Sequence, residues 1–357
     1  MSSSRRVVNV GLIGCGEVAQ TVHIPTLNHF YEYYRITYLC DTSEQALKQC
    51  ESKVCGSARP KLTKNAVELC SSPDVDVVFV INANEYHTPH TVFALQHDKI
   101  AFVEKLMAMN HRDVELILDA ERKSKGTVMV GYMRRYATAF IDAVKEIGGL
   151  EKITYARSGT FPHRFSDYSQ EDARELAERN ADWYNQGLKE DLDIPVTEQS
   201  KTMWSLLGSL GSHDLSVMRE ALGMPKSVLG CSIDAETPFW NVLFQYPGFA
   251  CSYESGINEV PRFDAHLEVY SRTKQITVRY DTPFIKGLPI TMTIRENIDG
   301  GLQERIVRKT YEDSYTLEYK ELYALVTEGT PVKTSVEDAA QDLKIFQMIT
   351  IAGQSRM

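Results

Sequence analysis

A run of aliphatic residues, Val7, Val8 and Val10 with Leu12 and Ile13, leads directly into Gly14-Cys15-Gly16-Glu17-Val18-Ala19, a G-x-G-x-x-A pattern. The apolar run suits a strand buried on both faces of a parallel sheet. Gly14 allows a sharp turn, and Gly16 leaves room for a pyrophosphate against the backbone. Ala19 is small enough for the next helix to close on the sheet. The N–H groups that open that helix, at Glu17 and Val18, then face the phosphates.

The neighbouring sequence supplies the rest of such a unit. The pattern predicts a helix over 17–34 and a second strand over 35–40 (RITYLC), ending at Asp41. An acid there accepts hydrogen bonds from the adenosine ribose hydroxyls and repels a 2′-phosphate, and no Arg follows closely. NAD is therefore expected over NADP. His23 and Pro25 are read as shaping the first helix. Helices over 43–54 and 63–70 lead to a strand over 77–81, whose polar end carries Asn82, Asn84 and His87. His87 is either a cofactor or substrate contact or a loop histidine satisfied by backbone. A helix over 88–96 and a strand over 99–103 deliver Glu104 and Lys105 to the same carboxyl edge, where open α/β sheets bind ligands. A helix over 111–125 and a strand over 128–131 complete a doubly wound domain.

From 153 onward the periodicity changes to two. Strands are expected over 153–159, 228–233, 240–246, 250–256, 266–271, 275–280, 291–295 and 305–309. Their polar side implies a mostly antiparallel open sheet with one face covered by helices. Helices are expected over 136–147, 212–223, 315–329 and 335–354. The chain thus divides into a nucleotide-binding Rossmann domain, 1–132, and an α+β domain for substrate and self-association, 133–357. Between 161 and 200 the pattern is irregular, and its aromatic ends, Trp183 among them, suit the lining of a substrate pocket.

Composition excludes several classes. The 357 residues carry a formal charge of −9, with no basic stripe, which argues against nucleic-acid binding. No apolar run reaches the roughly 18 residues of a membrane span. The seven cysteines are never spaced C-x-x-C and read as reduced thiols, with no metal site expected. A cytoplasmic protein is expected. The final Ser355-Arg356-Met357 offers a peroxisomal alternative, being similar to the small–basic–aliphatic address.

Taken in order, these features resemble the glucose–fructose oxidoreductase and inositol dehydrogenase family (Gfo/Idh/MocA). The resemblance is carried by Gly14/Gly16/Ala19, Asp41, Asp74-Val75-Asp76-Val77-Val78, His87 and Glu104-Lys105. It continues through Gly131-Tyr132-Met133-Arg134-Arg135-Tyr136, Gly211-Ser212-His213-Asp214 and Thr330-Pro331 with Val336-Glu337-Asp338-Ala339. It implies that Lys105 hydrogen-bonds the reacting oxygen and that His213 moves the hydroxyl proton. Glu104 would position Lys105 or border the nicotinamide, and Asp214 would orient His213 or favour its helix N-terminus. Arg135, Tyr136, Trp183 and Ser209 join Glu104 and Asp214 as substrate contacts. A homodimer or homotetramer through the C-terminal sheet is also implied.

Two departures stand out. Leu106 replaces the proline of Glu-Lys-Pro, and Ser209 replaces an Asp one helical turn before the histidine. The small Gly-Gly-Gly segment that often precedes the site is KTMWSLLGSL over 201–210. The expected activity is NAD-dependent transfer of hydride to or from a secondary alcohol or ketone of a sugar-like or polyol-like small molecule. The alternatives are a non-catalytic ligand sensor and a family member that uses bound NAD for redox-assisted elimination or hydrolysis.

Overall fold

The computed structural model describes residues 5–56, 58–161, 187–191, 194–233, 239–258, 260–288 and 290–354. These fall into two compact units. One holds the described residues up to Gly131 together with Glu318–Ala340. The other holds 132–161, Leu188–Leu317 and the residues from Gln341 onward.

The first unit is built on six parallel strands: β1 Val8–Ile13, β2 Tyr34–Cys40, β3 Lys61–Thr63, β4 Val77–Val80, β5 Ile100–Glu104 and β6 Val128–Gly131. Their order is β3-β2-β1-β4-β5-β6, so the direction of winding reverses between β1 and β4. Every residue of β4 is fully buried, as its uninterrupted apolar sequence requires. Five helices connect the strands: α1 Ile24–His29, α2 Glu44–Lys53, α3 Ala66–Ser71, α4 His87–Gln96 and α5 His111–Lys123. Ser43, Asn65 and Asn110 each cap a helix by accepting a backbone N–H two or three residues on. Both faces are covered. Leu69 of α3 rests on Gly11, on the face that also carries Val78. Phe79 and Phe102 point to the other face, where His23 and Tyr319 meet them edge-on.

Two expectations for this unit change. The helix expected over 17–34 ends at His29, after a π-helical turn Ala19–His23, and the chain turns through 30–33 before β2. Strand β3 has no β-branched run to announce it. It is a three-residue edge strand, two of whose residues are exposed.

The second unit contains α6 Thr138–Ile147, ended by Gly148 at φ 72° as a left-handed cap. It continues with β7 Ile153–Phe161, α7 Glu198–Leu206 and α8 Ser212–Leu222. Then come β8 Ser227–Ile233, β9 Phe239–Gln245, β10 Ala250–Gly256, β11 Asp264–Ser271, β12 Lys274–Tyr280, β13 Thr291–Ile298 and β14 Gly301–Val307. The eight strands order as β14-β13-β12-β11-β7-β10-β9-β8, antiparallel except where β10 lies parallel to β7. Burial alternates along them: Trp240, Val242 and Phe244 are buried while Asn241 and Leu243 are exposed. Helix α6 packs on β12 and β13, and α8 on β7 and β11. The last helices, α9 Ser314–Glu328 and α10 Val336–Gln354, each contribute residues to both units. Ser335 opens α10 by accepting the Asp338 N–H at 3.3 Å. No helix among the described residues is long and apolar enough to cross a membrane.

Candidate active site

The glycine loop behaves as its two glycines require. Gly14 has φ 111°, and a Cβ there would lie 2.7 Å from the Asn82 nitrogen and the Ile81 oxygen. Its N–H donates to the Cys40 carbonyl at 2.8 Å, tying the turn to the end of β2. Gly16 is the opposite case: a Cβ would meet nothing within 4 Å. Open space therefore stands over the backbone where the helix begins. Asp41 completes the loop, its carboxylate accepting the Cys15 N–H at 2.7 Å and the Ser43 N–H at 2.8 Å. Each oxygen keeps a lone pair for a ribose hydroxyl. Glu17 and Val18 are half-buried at the helix start and Ala19 is buried against the sheet. The residues present fit a dinucleotide.

The loop after β4 and the turn after β5 meet through His87. Its Nδ1 lies 2.7 Å from the Leu106 carbonyl and its Nε2 3.1 Å from that of Asn82. His87 is 1% exposed and burial pushes its basicity down. Both ring nitrogens thus face backbone carbonyls, and a neutral ring donates to one of them. The Asn82 amide nitrogen lies 2.9 Å from His90 Nδ1, and Asn84 opens a short 3₁₀ turn. The Lys105–Leu106 peptide is cis.

Glu104, the last residue of β5, is buried beneath Lys105. One oxygen accepts the Lys105 backbone N–H at 3.1 Å, and the other lies 3.2 Å from His23 Nε2. His23 is fully buried, and its Nδ1 is 2.5 Å from the Tyr319 hydroxyl. Burial opposes the charge on Glu104, but His23, Lys105 and His87 together outweigh it and hold the carboxyl below its usual range. Glu318, also fully buried, has no hydrogen-bond partner for either oxygen among the described residues. Burial and the neighbouring Glu104 push its carboxyl well above the usual range, against a smaller pull from Lys333. His23, Glu318 and Tyr319 were not expected at the site. Helical spacing marks them as inward-facing, but nothing local marks them as neighbours of residue 104.

In the second unit, His213 stands half-buried in the first turn of α8, directly after a π-helical turn Leu207–Gly211. Asp214 stands beside it in the same first turn, where a carboxylate favours the helix N-terminus. Its Oδ1 accepts from Arg134 and from the Thr160 hydroxyl, both at 2.6 Å, so it ties α8 to β7 and to the Met133–Tyr136 turn. Burial nevertheless raises the Asp214 carboxyl, with Arg134 and Thr160 pulling the other way. Arg135 is buried and donates to Glu220 at 2.6 Å, which makes it a brace between elements, and Tyr136 is buried beside it. The Ser209 hydroxyl donates back to the Ser205 carbonyl at 2.8 Å. Trp183 and Ser355-Arg356-Met357 lie outside the described residues. Among those described, no group of three or more His, Cys, Asp or Glu is placed to hold a metal.

Comparison with known proteins agrees with this geometry. Residues 8–132 match the model of the GFO_IDH_MocA family, described as an oxidoreductase family with an NAD-binding Rossmann fold. An inositol 2-dehydrogenase/D-chiro-inositol 3-dehydrogenase of Lacticaseibacillus casei is 33% identical over 141 residues, 39% of this chain and 40% of that protein. The chain thus spans about two fifths of the curated relatives it matches. Solved structures extend the likeness in fold to nearly the whole chain. A levoglucosan dehydrogenase in complex with NADH and levoglucosan superposes with a TM-score of 0.73 at 14% identity, covering 99% of this chain and 98% of that one. An aldose-aldose oxidoreductase from Caulobacter crescentus gives 0.72 at 18% identity, covering 99% of both.

Proposed function

We propose that the chain is a member of the Gfo/Idh/MocA oxidoreductase family, whose model residues 8–132 match, and that it is an NAD-dependent dehydrogenase or reductase. Its substrate is a secondary alcohol or ketone of a sugar-like or polyol-like small molecule. The observation that carries the reading is the contrast within the glycine loop. Gly14 admits no side chain, Gly16 faces open space, and Asp41 closes the loop.

Gly14, Gly16, Glu17, Val18, Ala19 and Asp41 hold the dinucleotide, with Asn82 and Asn84 beside it on the carboxyl edge. NAD, when bound, supplies the hydride acceptor or donor. Lys105 places its ammonium against the reacting oxygen and stabilises the negative charge that develops there. His213 takes the hydroxyl proton on oxidation and returns it on reduction. Glu104 acts below Lys105 as a positioning residue. Asp41 favours NAD over NADP, because a carboxylate at the ribose repels a 2′-phosphate. The open face of the eight-stranded sheet, where Tyr155 and Leu243 are exposed, is the surface through which copies associate.

The test is a titration of the purified protein with NADH and NADPH, followed by nicotinamide absorbance against a panel of sugars, polyols and their keto forms. Tighter binding of NADH with an absorbance change on one substrate is the expected result. Binding without any redox change would remove the dehydrogenase, and no binding would remove the cofactor site.

A further inference from the structure

The second unit carries a pocket of about 330 Å³ at one end of the eight-stranded sheet, where β11 begins, β12 ends and the chain leaves β14. Three guanidinium groups line it: Arg262, Arg279 and Arg308. Two carboxylates share the lining. Asp264 is neutralised by Arg262 at 2.9 Å, and Asp281 accepts the Thr282 N–H at 2.7 Å. Neither Arg279 nor Arg308 has a carboxylate partner among the described residues. Arg308 lies over the Tyr311 ring at 5.5 Å, a contact that leaves its N–H edge available.

The contrast with neighbouring arginines is informative. On β13 and β14, Arg295 pairs with Glu304, and Arg305 pairs with Glu146 and Glu296. On β7, Arg157 pairs with Glu268. In a chain with a formal charge of −9, three guanidiniums against two carboxylates leave this concavity one net positive charge. The fork of N–H donors on each is the geometry that recognises phosphate or carboxylate oxygens. Thr291, also in the lining, adds a hydroxyl donor.

The pocket wall leads toward the site. Tyr280 and Phe263 line the pocket, and the Arg134 guanidinium lies 5.0 Å and 5.9 Å from their ring centres. Arg134 in turn holds Asp214, the residue after His213. We propose that this pocket binds a phosphate or carboxylate group between Arg279 and Arg308. The group is either the charged end of the substrate, making that substrate a sugar acid or sugar phosphate, or a separate small anion. The link to turnover rests on the role given to His213, whereas the binding itself does not.

The test is thermal unfolding of the protein in inorganic phosphate, set against chloride at matched ionic strength. The expected result is a Tm rise of about 2 °C or more at phosphate well above its Kd. The rise should be lost in Arg279→Gln/Arg308→Gln and kept in Arg112→Gln, an exposed arginine of α5. Both arginines of the double variant are exposed and without acid partners, so that protein is expected to fold, and circular dichroism checks it. No rise in the parent, or an equal rise in the double variant, would overturn the proposal. Gluconate and glucose 6-phosphate, each compared with glucose, identify the source. Stabilisation by the charged sugars alone, with phosphate competing against them, assigns the pocket to the substrate. Phosphate stabilisation that adds to that of a neutral substrate assigns it to a separate anion. Neither arm needs NAD, so failure of the cofactor titration would leave this result standing.

Discussion

Glu104 has both oxygens engaged by His23 and the Lys105 backbone, whereas Glu318 is buried with neither oxygen bonded among the described residues. Two carboxyls in one low-dielectric neighbourhood cannot both carry charge cheaply, and the bonded one keeps it. The folded-state affinity of Glu318 for its proton is therefore raised above the unfolded one. Its contribution to stability is complete below the unfolded carboxyl range, near pH 4, and is lost as pH rises through the folded value. Glu318→Gln removes that loss. The variant should unfold at a Tm higher than the parent by about 3 °C or more at pH 8, with the difference vanishing toward pH 4, as read by thermal melts across pH. A second prediction concerns chemistry. Lys105→Ala should abolish turnover while leaving NADH affinity within a few-fold, and a large loss of NADH binding would assign the lysine to the cofactor instead. Lys105 and Glu104 were legible in the sequence because a strand end on the carboxyl edge is a defined place. His23 and Glu318 were not, because their partners lie 81 and 214 residues away along the chain.

At the scale of elements, the glycine loop separates conformation from ligand space. Gly14→Ala forces a side chain into a left-handed backbone and against the Asn82 and Ile81 backbone. The cost should be about 2–4 kcal/mol, measured by denaturant unfolding. Gly16→Ala meets open space, so stability should change by about 0.5 kcal/mol or less while NADH binding weakens at least about tenfold. A loss of stability at Gly16 equal to that at Gly14 would show that the loop, and not the ligand, requires both glycines. Strands with uninterrupted apolar or alternating sequence, such as β4 and β9, were readable from periodicity alone. Strand β3 was not, because an edge strand of three residues has no period to detect. The first helix was read too long, since a π-helical turn and the 30–33 turn before β2 leave the apolar pattern almost unchanged.

At the scale of the whole chain, the last two helices are the elements whose placement local pattern does not reveal. Asp342 on α10 is 1% exposed and accepts from the Tyr132 hydroxyl at 2.6 Å and from Arg219 at 2.5 Å. Asp342→Asn removes a carboxylate that pairs with the buried Arg219 charge. It should destabilise the protein by about 3–5 kcal/mol, read as an early transition in thermal unfolding, and a neutral effect would mean that solvent reaches the pair. Hydrophobic period, turn residues and the spacing of the glycine loop specified the two kinds of sheet, the order of their elements and the edge where Lys105 stands. Those signals are local, and a chain carries them before it folds. Which buried groups become partners was decided only by tertiary structure. The pairing of His23 with Glu104, that of Asp214 with Arg134 and Thr160, and the placing of Arg279 and Arg308 on one pocket all follow from packing. Charge and hydrogen bonding act over a few ångströms in space, and the positions they join are distant in sequence.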